Sequence, residues 1–155
     1  MDKRSEGRQT PTQVSQPAQQ LAQACADHMY ANDAATQALG IALLEVRPGY
    51  ARMQMTVRAD MLNGHRTCHG GYIFTLADSA FAFACNSYNE VTVAAGCAIE
   101  FLAPAFDGEL LVAEAIEQSR GSKTGVYDVT ITNPAGRKVA LMRGKSHVWK
   151  GSVLP

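Results

Sequence analysis

The sequence predicts an α+β domain in which one long helix is wrapped by a curved antiparallel sheet of five or six strands. Three observations carry this. The stretch GYIFTLADSAFAFAC (residues 71–85) is apolar almost all round, with Asp78 as its only charge. Period-two runs bounded by Gly, Pro and Asn lie before it and fill the chain after it. No second apolar helix follows, so the crossovers of a parallel sheet are missing.

The elements follow in order. Residues 1–16 are rich in Gln, Ser, Thr and charge and are expected to be a disordered tail, leaving 17–155 as one domain. From Pro17, Leu21, Ala24, Cys25, His28 and Met29 fall near helical spacing, with a restart near Asp33 and a stop at Gly40. Ile41 to Arg47 is a short strand closed by Pro48-Gly49. In Tyr50 to Arg58, Ala51, Met53, Met55 and Val57 share one face, as in a half-buried antiparallel strand. Met61 to Cys68 reads as a loop, and the apolar helix runs from Gly70 or Gly71 to about Asn86. Strands are then expected over 92–102, 109–118, 125–132 and 137–150, with Asn133-Pro134-Ala135-Gly136 as a hairpin turn. A helix apolar all round cannot leave one side in water, so a curled sheet and a second copy of the chain are together expected to enclose it.

Composition narrows the function. A chain of 155 residues with 46% apolar and 18% charged side chains can bury one core, and its zero formal net charge favours no nucleic acid. Basic residues gather between Arg120 and Lys150, where Asp128 is the lone acid, giving a local surface suited to phosphate. No apolar run is long enough to span a membrane. Without an apolar leader, Cys25, Cys68, Cys85 and Cys97 read as reduced thiols of a cytoplasmic protein.

Asp78 is the candidate catalytic residue. A carboxylate in an apolar helix carries a large desolvation cost unless it is paired, hydrogen-bonded or used. It can serve as general base or as nucleophile in acyl transfer; the competing reading is a structural carboxylate bonded to nearby Ser, Thr or Asn. Thr75, Asp78 and Ser79 stand at i, i+3 and i+4, which predicts one polar stripe. Before them, His69-Gly70-Gly71 opens the helix, and free N–H groups there suit developing negative charge. Gly70 and Asp78 are eight residues apart, or about 12 Å along a helix, too far to meet at one carbonyl carbon. If they cooperate, they come from different subunits. Asn63 is a third candidate, whose amide can hold a water or carbonyl or else merely build the Asn63-Gly64 turn. His65, Cys68 and His69 lack metal-ligand spacing, so no metal is expected.

The stretch MLNGHRTCHGGYIFTLADSAFAFACNS, with AIEFLAPAFDGELL, RGSKTGVYDVTITN and VALMRGKSHV, resembles the hotdog-fold acyl-CoA thioesterases, above all their phenylacetic acid degradation branch. The resemblance implies a hotdog fold, dimers paired into a homotetramer, and hydrolysis of acyl-CoA thioesters such as phenylacetyl-CoA and ring-hydroxylated phenylacetyl-CoA. It implies that Asp78 activates water or attacks the thioester, that the Gly70 N–H, with Gly71 beside it, polarises the carbonyl, and that Asn63 acts across the interface. His69 would orient the loop or thioester, and Ser79 would help hold water. Coenzyme A enters as part of the substrate, with no separate cofactor. Arg120, Lys123, Arg143 and Lys145 are candidates for its phosphates, and Tyr72, Phe74 or Phe106 for an acyl ring. Two other readings are a hydratase-like enzyme, disfavoured because the helix carries no His, and a non-catalytic acyl-CoA binder.

Overall fold

The computed structural model describes residues 14–155. Most of the expected tail therefore lies outside the described residues. Ser15 caps the first helix, α1 (Gln16–Asn32), by accepting from Ala18 N–H. Asp33 ends α1 and caps a short second helix, α2 (Ala34–Ala38), its carboxylate accepting from Thr36 N–H at 2.9 Å and Thr36 Oγ1–H at 2.6 Å.

Six strands form one antiparallel sheet: β1 (Ala42–Arg47), β2 (Tyr50–Thr56), β3 (Thr92–Phe101), β4 (Leu110–Arg120), β5 (Thr124–Thr132) and β6 (Lys138–Val148). Their spatial order is β1-β2-β4-β5-β6-β3. The long helix α3 (Gly70–Cys85) interrupts the chain between β2 and β3 and packs across the sheet, mainly on β2, β4 and β5. This is the hotdog architecture. The alternating strand residues fill the core: Ala51, Met53 and Met55 from β2, and Tyr127, Val129 and Ile131 from β5, are all buried. Against them α3 sets Ile73, Leu76, Ala77, Ala80, Phe81, Phe83 and Ala84. The fit is close, since a Cβ on Gly144 of β6 would stand 2.9 Å from the Phe81 ring.

The turn from α3 into β3 is set by Asn86. Its side chain donates to Ala82 O and Thr92 O and accepts from Thr92 N–H, at 2.8–2.9 Å. This clamp sends β3 back along α3, so that Phe101 near its end lies over Gly70 at the helix start. The two sheet edges differ. β1 is short and carries Glu45 and Arg47, a common way to blunt an edge. β3 is ten residues long and apolar, yet only Thr92 is buried; Val93 is 44% and Phe101 53% exposed. The sheet supplies its share of the covering expected for α3, and the β3 edge carries exposed apolar side chains.

Candidate active site

Asp78 sits midway along α3, half-buried, on a cleft of about 600 Å³. Its carboxylate makes no hydrogen bond or ion pair with any described residue. Desolvation alone pushes its pKa above the usual carboxylate range. The structural alternative, bonding to Ser, Thr or Asn, is not what this chain does. Thr75 Oγ1 donates back to Gly71 O at 2.9 Å. Ser79 is buried, 3.2 Å from Thr36 Oγ1, and must donate there because the Thr36 proton is spent on Asp33. Asn86 is consumed by the turn clamp.

The predicted polar stripe is therefore corrected. Ser79 points into the core toward α2, where its hydroxyl meets Thr36, and it does not line the Asp78 cleft. The face of α3 that stays partly open is Gly71, Thr75, Asp78 and Ala82, at i, i+4, i+7 and i+11. Three of these are small, which suits the close approach of another backbone.

The helix start also divides its roles. His69 is the N-cap, and its Nδ1 accepts from Gly71 N–H at 3.0 Å. That bond assigns the neutral ring proton to Nε2. Gly71 is thereby corrected as an anion donor, since its N–H is already used by the cap. Tyr72 N–H donates to His69 O, while Gly70 N–H has no partner among the described residues. Gly70 has a separate constraint: an added Cβ would stand 2.9 Å from the tip of the Phe101 ring, which would have to move.

Asn63 builds its loop, as one of its two readings required, and keeps its amide hydrogens free of the other described residues. Its Oδ1 builds the loop by accepting from His65 N–H, Thr67 N–H and Thr67 Oγ1–H, at 2.9–3.3 Å. Its Nδ2 group has no partner among the described residues and is left to donate. Asn63 and Gly70 line one pocket of about 370 Å³, and His69 and Gly71 another. Asp78 lies in neither. Within one chain the structure brings Asn63 and Gly70 together and keeps Asp78 apart, as expected from their spacing.

The walls of the Asp78 cleft come from unexpected places. One is the end of α1 and start of α2, with His28, Met29, Asn32 and Asp33. Another is the start of β3, and a third is the C-terminal segment with Ser152 and Val153. Tyr72, Phe74 and Phe106, suggested for an acyl ring, do not line it; Phe81, Val91 and Val93 do. β3 passes close to Asp78, whose charge adds to the desolvation that raises the Cys97 thiol pKa. The basic cluster also needs correction. Arg143 is held by both oxygens of Asp128, at 2.7 and 2.8 Å, and Arg120 is paired with Glu90 over the Tyr88 ring. Lys123 instead lies with His147, Trp149 and Lys150 around a surface pocket of about 540 Å³.

All four cysteines are free. Among the described residues no three His, Cys, Asp or Glu side chains gather as a metal site, and no helix is long and apolar enough to cross a membrane.

Similar proteins place this geometry in a family. Residues 65–140 match the model of the Thioesterase superfamily. Acyl-coenzyme A thioesterase PaaI of Escherichia coli K12 is 51% identical over 125 residues, which cover 81% of this chain and 89% of that protein. The structure of the E. coli PaaI protein from the phenylacetic acid degradation operon superposes with a TM-score of 0.86 at 49% identity, covering 87% of this chain and 98% of that one. The protein smu.793 from Streptococcus mutans UA159, bound to acetyl CoA, superposes with a TM-score of 0.69 at 28% identity, covering 72% and 90%. With half its residues shared across four-fifths of its length, this chain belongs to the hotdog-fold acyl-CoA thioesterases of the PaaI type, a family of hydrolases.

Proposed function

We propose that this thioesterase acts on phenylacetyl-CoA and ring-hydroxylated phenylacetyl-CoA in cytoplasmic phenylacetate degradation, at sites completed by two copies of the chain. The observation that carries the reading is Asp78: half-buried, raised in pKa, free of any partner, and facing a cleft. An aryl group fits the apolar side of that cleft, where Met29, Phe81, Val91 and Val93 stand. A ring hydroxyl would find His28 and the Oδ1 of Asn32, whose Nδ2 is already spent on His28 O. The E. coli relative from the phenylacetic acid degradation operon supports the same acyl class.

The chemistry needs only water and the chain. As general base, Asp78 takes a proton from water while the oxygen adds to the thioester carbon. As nucleophile, its carboxylate adds there directly and water later opens the anhydride. In both, the carbonyl oxygen gains charge that the partner's Gly70 N–H and helix dipole stabilise, with the Asn63 amide beside it. The C–S bond then breaks, and the coenzyme A sulfur leaves and takes up a proton. No cofactor enters. Single turnover in oxygen-18 water separates the roles: the label enters the enzyme's carboxylate only if Asp78 is the nucleophile.

The second copy has an evident seat. An exposed apolar edge as long as β3 is either an aggregation hazard or an interface. Antiparallel pairing of β3 with its own copy about a two-fold axis joins the two sheets. It also lays the two α3 helices side by side, the start of one toward the middle of the other. A pair of such dimers makes the expected tetramer.

The test follows thiol release from aryl and alkyl acyl-CoAs by wild type and Asp78→Asn. Loss of turnover in the variant, with phenylacetyl-CoA the preferred wild-type substrate, is the expected result. Wild-type turnover by Asp78→Asn would sink the role of this residue. Co-expression of Asp78→Asn with Gly70→Ala tests sharing. A mixed dimer holds one intact site and one doubly damaged one, so random assembly restores about a quarter of wild-type activity. Activity no higher than that of the two parents would place each site within one chain.

A further inference from the structure

We propose that the C-terminal segment, through Val153, is the wall that selects the acyl group, and that Asn89 sets its position. The inference rests on the Asp78 cleft being the acyl site and adds what limits its depth.

The segment after β6 does not trail into solvent. Trp149 N–H donates to Val91 O at 2.7 Å, and Val91 N–H donates to Gly151 O at 3.1 Å. These bonds fold the chain end back beside the start of β3. Ser152 and Val153 then line the cleft that holds Asp78. One residue further, Leu154 N–H donates to Asn89 Oδ1 at 2.8 Å. The same oxygen accepts the Cys25 thiol of α1 at 3.8 Å, a weak contact.

Asn89 thus ties together α1, the α3–β3 turn and the chain end through one side-chain oxygen. Its φ is +62°, a conformation asparagine tolerates better than most residues. Val153 is partly buried and lines the same cleft as Asp78, so its bulk and position set how far an acyl chain can run beyond the thioester.

Three variants test this, read as the ratio of kcat/KM for octanoyl-CoA over phenylacetyl-CoA. Removing residues 152–155 should raise the ratio about tenfold, the scale on which a pocket distinguishes added methylenes. Val153→Trp should lower it by a similar factor, and because the chain keeps its full length it stands even where the truncated chain fails to fold. Asn89→Gly keeps the left-handed backbone but loses the anchor, and should move the ratio in the direction of the truncation. Asn89→Asp, which keeps the acceptor oxygen, should restore the wild-type ratio. A ratio within twofold of wild type in Val153→Trp and Asn89→Gly overturns the proposal. Failure of the catalytic reading looks different: Asp78→Asn would then turn over both substrates normally, whatever the ratios do.

Discussion

Two half-buried carboxylates lie beside α3 and lead opposite lives. Glu117 on β4 has its Oε2 held by Tyr88 O–H at 3.0 Å and Tyr127 O–H at 2.8 Å. Asp78 has no donor among the described residues. Glu117 is the outlay a fold makes to tie a helix end to its sheet, and both tyrosines have their pKa raised by burial and by this carboxylate, Tyr88 to about 12. Asp78 ties nothing. A desolvated charge without a partner is retained for what it does to something else. Burial does not distinguish the two groups; the count of donors does.

Substitution should split them cleanly. The largest effect belongs to Asp78→Asn, which should lower kcat by about 10²–10⁴, the range of a lost acid–base group, with unchanged circular dichroism. Its thermal midpoint at pH 7 should rise. The folded-state pKa of Asp78 is raised, so the ionised form weakens the fold at neutral pH and the penalty fades as pH falls through that value. The gain in the variant should therefore vanish in acid. By the same sign, wild-type kcat/KM should fall with decreasing pH at a higher pH than an ordinary aspartate gives.

Next comes Gly70→Ala. The added methyl meets the Phe101 ring and displaces the free N–H, and loss of such a donor costs about 10²–10³ in kcat. Gly71→Ala should cost far less, because its Cβ meets only the His69 side chain at 3.1 Å and its N–H already serves the cap. Equal losses at the two glycines would remove the distinction between donor and cap. Asn63→Asp follows: it keeps the loop acceptor but replaces the free amide, so kcat/KM should drop about tenfold, a hydrogen bond's worth, at nearly constant stability. The smallest kinetic effect belongs to Glu117→Gln. Turnover should stay within about threefold, while about 2 kcal/mol of lost charged hydrogen bonding lowers the midpoint by about 4–8 °C. A large kinetic loss there would erase the contrast with Asp78.

The sequence revealed the fold wherever a local pattern was sufficient. The alternation of Ala51, Met53 and Met55, the turn at Asn133, and the apolar run around Asp78 each carry their structural cause within a few residues. The spacing of Gly70 and Asp78 was equally readable, because helix rise is a constant. Four things were hidden because their cause is distant or shared. Ser79 looks like a neighbour of Asp78 until Thr36, forty-three positions earlier, claims its hydroxyl. Gly71 looks as free as Gly70 until the His69 ring turns back on it. The cleft walls at Asp33 and Val153 come from an elbow and a chain end with no periodicity to announce them. Arg120 and Arg143 look available for phosphate until Glu90 and Asp128 appear beside them.

On the proposed shared site, the bare edge of β3 would also make assembly a form of control. The chain holds Asp78 and Gly70 on separate surfaces. Until a second copy docked on that edge, it would have both proposed catalytic parts and no working site. Coenzyme A esters serve many reactions, and a hydrolase active from the moment of synthesis would drain them. Joining the edge to its copy, as proposed, would tie the onset of hydrolysis to concentration, and dilution should then switch the enzyme off without unfolding it.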